Sequence, residues 1–412
     1  EATQHARAPR DDDREQAEAL ANTELGALCL ALEQASAYIN KLELSLAEYR
    51  KRWAKNAKDV RSRADKSLMR YHEEKDVSLS VATTWRTTVD DLSVAARGVL
   101  RMFSWLAPEG IPLAMVEHDA MTAQLRALTG DDACDAEEAL AELRAFSLLS
   151  RAPSARFASA GPMHRLVQLV TRDSLSVEEQ KRTLKAMLEV LIAYAAEESE
   201  HFRLSALDDL PPHLEVAIAH GERLGFRAEL APLLREQGEQ FHNRGLFASA
   251  EASLRRALEI DEADSDNPHA DVPEDLRRLA EVLLELDRVA ESEPQLRRAV
   301  EVAEARYGPE DHRVAPTLGS LALMLCIAGR YADAEPFAER ALRVTEVHHG
   351  VDHPQTVDYL MNVARVYWKT DRLEEAMTMH RRALAVAERH HGVDALDTVH
   401  AMGNLAAFLG DV

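Results

Sequence analysis

Three loops decide the fold: Tyr307-Gly308-Pro309-Glu310-Asp311-His312, His349-Gly350-Val351-Asp352-His353-Pro354 and His391-Gly392-Val393-Asp394. Their glycines, Gly308, Gly350 and Gly392, stand 42 residues apart each time. A fixed period of that length marks a stack of like units. The period extends well beyond the loops. Small residues recur at Gly238, Ala280, Ala322, Ala364 and Ala406, at Ala257, Ala299, Ala341 and Ala383, and at Ala250, Ser292, Ala334 and Ala376. Large apolar residues keep fixed offsets, at Leu234, Leu276, Leu318, Leu360 and Met402, then at Phe241, Leu283, Leu325 and Tyr367. Gly245, Asp287, Gly329 and Asp371 fall where each pair of helices must turn.

Two antiparallel helices approach closely only where their side chains are small. One such pair cannot bury its own apolar face, so the units stack into a solenoid. Small, large and turn residues in this order resemble the tetratricopeptide repeat. The 42-residue length and the G-x-x-H-P loop at Gly350–Pro354 are similar to the kinesin-light-chain subtype. Four full units fit from about residue 231 to 398, and a fifth begins near Val399 and stops after its first helix. The resemblance implies a solenoid that holds a protein or peptide ligand. In such arrays the first helix of each pair lines the concave face. The phase puts Arg235, Glu239, Arg277, Glu281, Asn362, Arg365, Trp368, Lys369 and Asn404 on that face, with Trp368 as the aromatic anchor. His348, His349, His353, His390 and His391 read as a feature of the repeat loops, and no metal ligand is assigned.

Composition agrees with a mainly α protein. Apolar residues make up 46% of 412, while only 16 glycines and 15 prolines interrupt the chain. The formal net charge of −22 repels a phosphate backbone and argues against nucleic acid as a partner. Cys29, Cys134 and Cys326 are too scattered for a disulfide framework, which fits the cytoplasm. No apolar run approaches the ~18 residues of a membrane span. The chain opens at Glu1 without a methionine, and with the truncated fifth unit this leads to the expectation of a longer parent polypeptide.

The first half reads differently. Residues 15–75 carry helical patterns, including Leu25–Ile39 and a helix start at Ser45 with Glu48 three residues on. Helices are expected at about 92–106, 112–127 and 135–146, with a turn at Pro108-Glu109-Gly110-Ile111-Pro112. Leu148–Arg151 and Arg156–Ser159 can pair as a hairpin around Pro153-Ser154. Helix, helix, hairpin is the layout of a winged helix. Residues 176–228 read as helices broken at Leu210-Pro211-Pro212-His213.

Ala27–Leu32 resembles the G-L-P-L-A-L segment of NB-ARC proteins, members of the STAND class of signalling ATPases, with Ala27 for the glycine and Cys29 for the proline. Met163-His164-Arg165 resembles the M-H-D motif that closes their winged helix, with Arg165 for the aspartate. In that family the histidine donates to the β-phosphate of ADP and holds the resting state, a role the resemblance gives to His164. Taken alone, His164 is a histidine bonding a backbone carbonyl at a helix start.

The chain contains no GxxxxGK[ST] sequence, so it has no cradle for a triphosphate. No nucleophile or metalloprotease motif is present, and no catalytic residue is assigned. ADP or ATP is implied only together with an upstream P-loop domain. The resulting division is an ARC-like segment at 1–76, a winged helix at 77–175, a helical capping layer at 176–228 and repeats at 229–412. The resemblance implies a sensor and latch for a nucleotide switch that oligomerises on activation, in a bacterial type of signalling. Two other readings remain: an adaptor like the kinesin light chain, and a winged-helix regulator on DNA. Against the last, the helix at 135–146 sets Asp135, Glu137, Glu138 and Glu142 against Arg144.

Overall fold

The computed structural model describes residues 13–25, 29–63, 75–150, 159–200, 210–263, 271–393 and 395–411. The described residues are nearly all helical, and the chain divides into two compact units, Glu1–Leu233 and Leu234–Val412. Among the described residues no helix is long and apolar enough to cross a membrane.

The first unit opens with α1 (Asp13–Ala19), which runs into a π-helical turn at Leu20–Glu24, followed by α2 (Cys29–Lys41) and α3 (Leu46–Arg63). Ser45 starts α3 with a reciprocal cap. The Glu48 N–H donates to Ser45 Oγ at 3.2 Å, and the Glu48 carboxylate accepts the Ser45 N–H at 2.7 Å. Then come α4 (Lys75–Val89), α5 (Val94–Phe103), strand β1 (Ile111–Pro112), α6 (Leu113–Glu117), α7 (Asp119–Thr129) and α8 (Ala136–Ala145). Strand β2 (Ser159–Gly161), α9 (Arg165–Asp173), α10 (Val177–Glu200) and α11 (Pro211–Leu224) complete it. The helix expected at 112–127 is two helices, because His118 leaves helical geometry and its Nδ1 accepts the Ala120 N–H at 3.1 Å.

Three buried tryptophans tie this unit together. Trp53 Nε1 donates to Thr84 on α4, Trp85 Nε1 to Thr171 on α9, and Trp105 Nε1 to Thr183 on α10, at 3.3, 3.1 and 3.0 Å. An indole N–H left unpaired in the interior is costly, so each threonine fixes which helix its tryptophan meets.

Two details differ from the sequence reading. β2 pairs antiparallel with β1, Ile111 opposite Gly161, so the segment read as a turn supplies a strand. Pro112 has no N–H to extend that ladder, which keeps it short. The tip of the expected 148–159 hairpin lies outside the described residues, but the Ser150 N–H does donate to the Pro162 carbonyl at 3.1 Å. Gly161 makes this approach possible, since its φ is +107° and an added Cβ would sit 1.9 Å from the Ser150 carbonyl oxygen. The second difference is at Pro211-Pro212. These residues form the first turn of α11, where no backbone donor is needed.

The second unit continues from α12 (Leu230–Asn243) through α13 (Phe247–Ala263), α14 (Val272–Glu285), α15 (Val289–Tyr307), α16 (Ala315–Ile327), α17 (Tyr331–His349), α18 (Val357–Lys369), α19 (Leu373–His391) and α20 (Leu396–Asp411). The helices α14/α15, α16/α17 and α18/α19 pack as antiparallel pairs. Ala280, Ala322 and Ala364 are fully buried where the pairs cross, as are Ala299 and Ala341. Ala406 and Met402, in the same series on α20, are exposed, since no second helix covers them among the described residues.

Each pair turns in the same way. Gly245, Asp287, Gly329 and Asp371 have φ of +71°, +59°, +72° and +61°. The N–H groups of Leu246, Arg288, Arg330 and Arg372 donate back to Phe241, Leu283, Leu325 and Tyr367 at 2.8–2.9 Å. This is the six-to-one bond that closes a helix whose cap is left-handed. The arginine after Asp287, Gly329 and Asp371 then links neighbouring units. Arg288 reaches Glu251, Arg330 reaches Glu293 and Arg372 reaches Glu335, one period apart each time.

An L-residue pays ~1–2 kcal/mol in the left-handed region, and aspartate tolerates it better than alanine. Gly329→Ala is therefore expected to lower unfolding stability by about 1 kcal/mol, while Asp371→Gly leaves it unchanged or raises it. Urea unfolding of the two variants beside the wild type checks this. A neutral Gly329→Ala would mean that the turn does not require the conformation assigned to it.

Candidate peptide-binding face

The first helices of successive pairs touch one another, α14 with α16, α16 with α18 and α18 with α20, and so form one layer. Tyr359 on α18 packs onto Gly319 on α16 so closely that a Cβ there would lie 2.8 Å from its ring. Of the nine residues proposed from the repeat phase, Arg235 and Glu239 lie on α12 and the other seven on α14, α18 and α20, in two groups of opposite character.

The first group is closed on itself. Arg235 is largely buried, with Nη2 2.8 Å from Asp261 and Nε 2.6 Å from Asp275, and both carboxylates are fully buried. Arg277 pairs with Glu274 and Glu281 at 2.5 Å each. Glu281 also accepts the Ser320 hydroxyl at 2.8 Å, and Glu239 pairs with Arg278. Each of these charges has a partner within the protein. The sequence places Arg235, Glu239, Arg277 and Glu281 on first helices of the pairs, but does not show that they satisfy one another.

The second group is open. Asn362 and Arg365 are half-buried on α18, and among the described residues neither side chain makes a hydrogen bond or ion pair. The column explains why. Positions 42 apart read Glu239, Glu281, Leu323, Arg365 and Ala407, so the charge is lost at the half-buried Leu323 and reversed at Arg365, with no carboxylate beside it in the column. Trp368 is half-buried and edge-on to Phe408, ring centroids 5.8 Å apart, with Lys369 Nζ 3.7 Å over its ring. Lys369 also lies 3.6 Å from Asp411, an exposed pair of little energetic weight. Asn404 is already engaged, donating to the His400 carbonyl at 3.0 Å and meeting Met361 Sδ at 3.4 Å. Behind this face His380 is buried against Phe408. Burial, with the Arg365 charge added, pushes its pKa down, so the ring is neutral.

His164 lies in the first unit as the N-cap of α9. Its Nδ1 accepts the Leu166 N–H at 3.1 Å and its ring is exposed. The backbone partner is thus an N–H and not a carbonyl. His118 and His353 cap their helices in the same way.

The sequence reading missed one assembly altogether. His312, at the start of the α16/α17 pair, meets His348 and His349 at its end, with ligand-capable nitrogens all within 4.8 Å of one another. His312 is one position out of phase with His353, so aligning the repeats does not group it with the other histidines.

A family model described as the tetratricopeptide repeat matches residues 274–346 and, overlapping, 313–389. Tetratricopeptide repeats therefore build this part of the second unit. A second model, described as a domain of unknown function, matches residues 87–180. No curated protein matches the chain significantly. Among solved structures, BtubC from P. vanneervenii is 20% identical, with a TM-score of 0.39 over 54% of this chain and 83% of that one. A STAND protein with a tetratricopeptide repeat sensor from Pyrococcus horikoshii is 15% identical, with a TM-score of 0.44 over 93% of this chain and 57% of its own. NprR in complex with its cognate peptide NprX is 11% identical, with a TM-score of 0.41 over 98% and 90%. At identities this low and TM-scores below 0.5, no residue, ligand or role is carried over to this chain.

The buried group around Arg235 has a consequence for stability. Asp275 and Asp261 also contact each other, and burial, with the second carboxylate added, pushes the Asp275 pKa up to about 8 against the pull of Arg235. Asp261 Oδ1 and Asp275 Oδ2 are buried without any donor, which a proton held between them would supply. A carboxyl whose pKa is higher folded than unfolded takes up a proton on folding. That stabilisation is complete below the ordinary carboxylate range near pH 4 and drains away as pH climbs to about 8. Urea midpoints are expected to fall from pH 5 to pH 9 in the wild type and to fall less in Asp275→Asn. Equal slopes would remove the proton from this pair.

Proposed function

We propose that this chain is the sensor and latch half of a STAND-type signalling ATPase. Its repeats take up a protein or peptide trigger. The segment around His164 holds the resting state of a nucleotide switch whose P-loop lies in an upstream domain. The observation that carries the sensor half is the unpaired Arg365 beside Asn362 and Trp368, on a face whose other inner-helix arginines, Arg235, Arg277 and Arg278, are all paired. A half-buried guanidinium without a carboxylate favours a ligand that brings one. Such a ligand offers a carboxylate to Arg365, a polar backbone to the Asn362 amide and an apolar side chain to Trp368.

The latch half is supported by the order α5, β1, α6, α7, α8, β2, which resembles that of a winged helix, and by the cap at α9. A neutral imidazole that accepts through Nδ1 carries its proton on Nε2. The outer edge of His164 is then a hydrogen-bond donor, placed at the start of a nine-residue helix whose amides favour an anion. Such a donor suits the β-phosphate of ADP, and Arg165 adds a cation at the same helix start. Phosphoryl chemistry belongs to the nucleotide and its P-loop domain, while this chain contributes binding, restraint and release. Oligomerisation follows release. The DNA-binding reading is weakened, because Arg144, the basic residue of α8, is engaged with the Ala160 carbonyl at 2.8–3.1 Å.

The first test is nucleotide content. ADP is expected to co-purify with the natural full-length protein and to be lost, with spontaneous oligomers, in His164→Ala. Absence of nucleotide in both proteins would leave a plain peptide-binding adaptor. For the sensor half, Arg365→Ala and Trp368→Ala are each expected to weaken binding of a selected acidic peptide by roughly 5- to 30-fold. Arg277→Ala, which opens the self-paired group, should change that affinity little. An equal loss in all three variants would point to general unfolding and count against the assigned face.

A further inference from the structure

The three imidazoles gathered at the open end of the α16/α17 pair belong to neither proposed site. His312 lies in the short 3-10 turn His312–Val314 that leads into α16, and His348 and His349 are the last residues of α17. His312 and His348 stack with ring centroids 3.6 Å apart, while His349 stands edge-on to both, at 5.1 and 4.4 Å. Their ligand-capable nitrogens fall within 4.8 Å of one another, where tetrahedral zinc with bonds near 2.0–2.1 Å needs them about 3.3–3.4 Å apart. Closing that difference requires the side chains to rotate, with His312 and His348 leaving their parallel stack so that their in-plane lone pairs converge. Three imidazoles packed this tightly repel one another as cations, and the neutral ring is the form that binds metal.

The surroundings fit a metal as well. Asp311 Oδ1 lies 3.4 Å from His312 Nδ1, and the same carboxylate is anchored by Arg313 at 2.9 and 3.0 Å. A carboxylate on one ring nitrogen turns the other outward as a ligand, a usual arrangement behind a metal-bound histidine. His353 stacks on His349 at 4.7 Å, but its Nδ1 already accepts the Gln355 N–H, so it walls the site without joining it.

We propose that His312, His348 and His349 form a binding site for one late first-row divalent metal ion, zinc above all, that clamps the open end of the α16/α17 pair. Three neutral nitrogen donors select zinc, nickel or copper over magnesium and calcium. Water takes the fourth position. The next pair supplies an internal control. His390 and His391 occupy the same phase as His348 and His349, but the position matching His312 is Pro354, so that pair has two imidazoles and no third.

The test uses cobalt(II) as the probe on the whole chain. One equivalent of cobalt is expected to give the intense visible bands of four-coordinate nitrogen ligation, and zinc to displace it. His312→Ala, His348→Ala and His349→Ala should each weaken binding at least tenfold, with His390→Ala/His391→Ala unchanged. Zinc should raise the thermal midpoint of the wild type but not of His312→Ala, a partly exposed position whose loss leaves the fold intact. Absence of these bands in the wild type, or equal metal affinity in His312→Ala, overturns the assignment.

Discussion

The close approach of two helices at one small residue, repeated every 42 positions, is the constraint on which the second unit depends. Ala280, Ala322 and Ala364 have no exposed surface, and at the corresponding Gly238 an added Cβ would sit 2.7 Å from Leu254 Cγ. With the backbones that close, Leu276, Leu318 and Leu360 fill the interior, and the chain must reverse within a few residues. The reversal needs a left-handed residue and one back-reaching hydrogen bond, and both recur in phase. The arginine that follows is then fixed where it meets a glutamate of the preceding unit. Helix spacing, turn conformation and inter-unit ion pairs thus follow from a single spatial restriction.

The features legible in the sequence are those governed by size and backbone conformation. Gly245, Asp287, Gly329 and Asp371 are recognisable as turns because few residues occupy that region. Ser45 and Glu48 are recognisable as a cap because the geometry allows one spacing. Pro211-Pro212 is ambiguous, since proline both ends helices and begins them, and only the following packing decides which. The pairing of β2 with β1 is out of reach, because a two-residue strand ending in proline carries no alternation to read.

The candidate site is legible as a set of positions but not as a set of charge states. Arg235 and Arg365 look alike in a sequence, on equivalent helices of the same stack. One is enclosed by Asp261 and Asp275, and the other stands alone. The difference arises from neighbours a whole unit away, since α16 carries Gly319, Ser320 and Leu323 where α14 carries Arg277, Arg278 and Glu281. That uncharged helix ends the ion-pair network and leaves the cation of α18 without a partner in its column.

A periodic structure satisfies itself wherever it repeats, so its binding capacity collects where the period fails. Where the pattern holds, Arg288, Arg330 and Arg372 are paired and Ala280, Ala322 and Ala364 are buried. Arg365 is free because its column breaks at Leu323, where Glu281 of the preceding unit has no counterpart. The histidines at the end of α17 become three because His312 falls one residue out of phase. His380 sits in the interior where Leu254 and Leu296 stand in earlier units, and it brings a neutral imidazole behind the open face. The regular positions therefore build the scaffold, and the departures from them concentrate between α16 and α20, the stretch where a ligand has unpaired groups to meet.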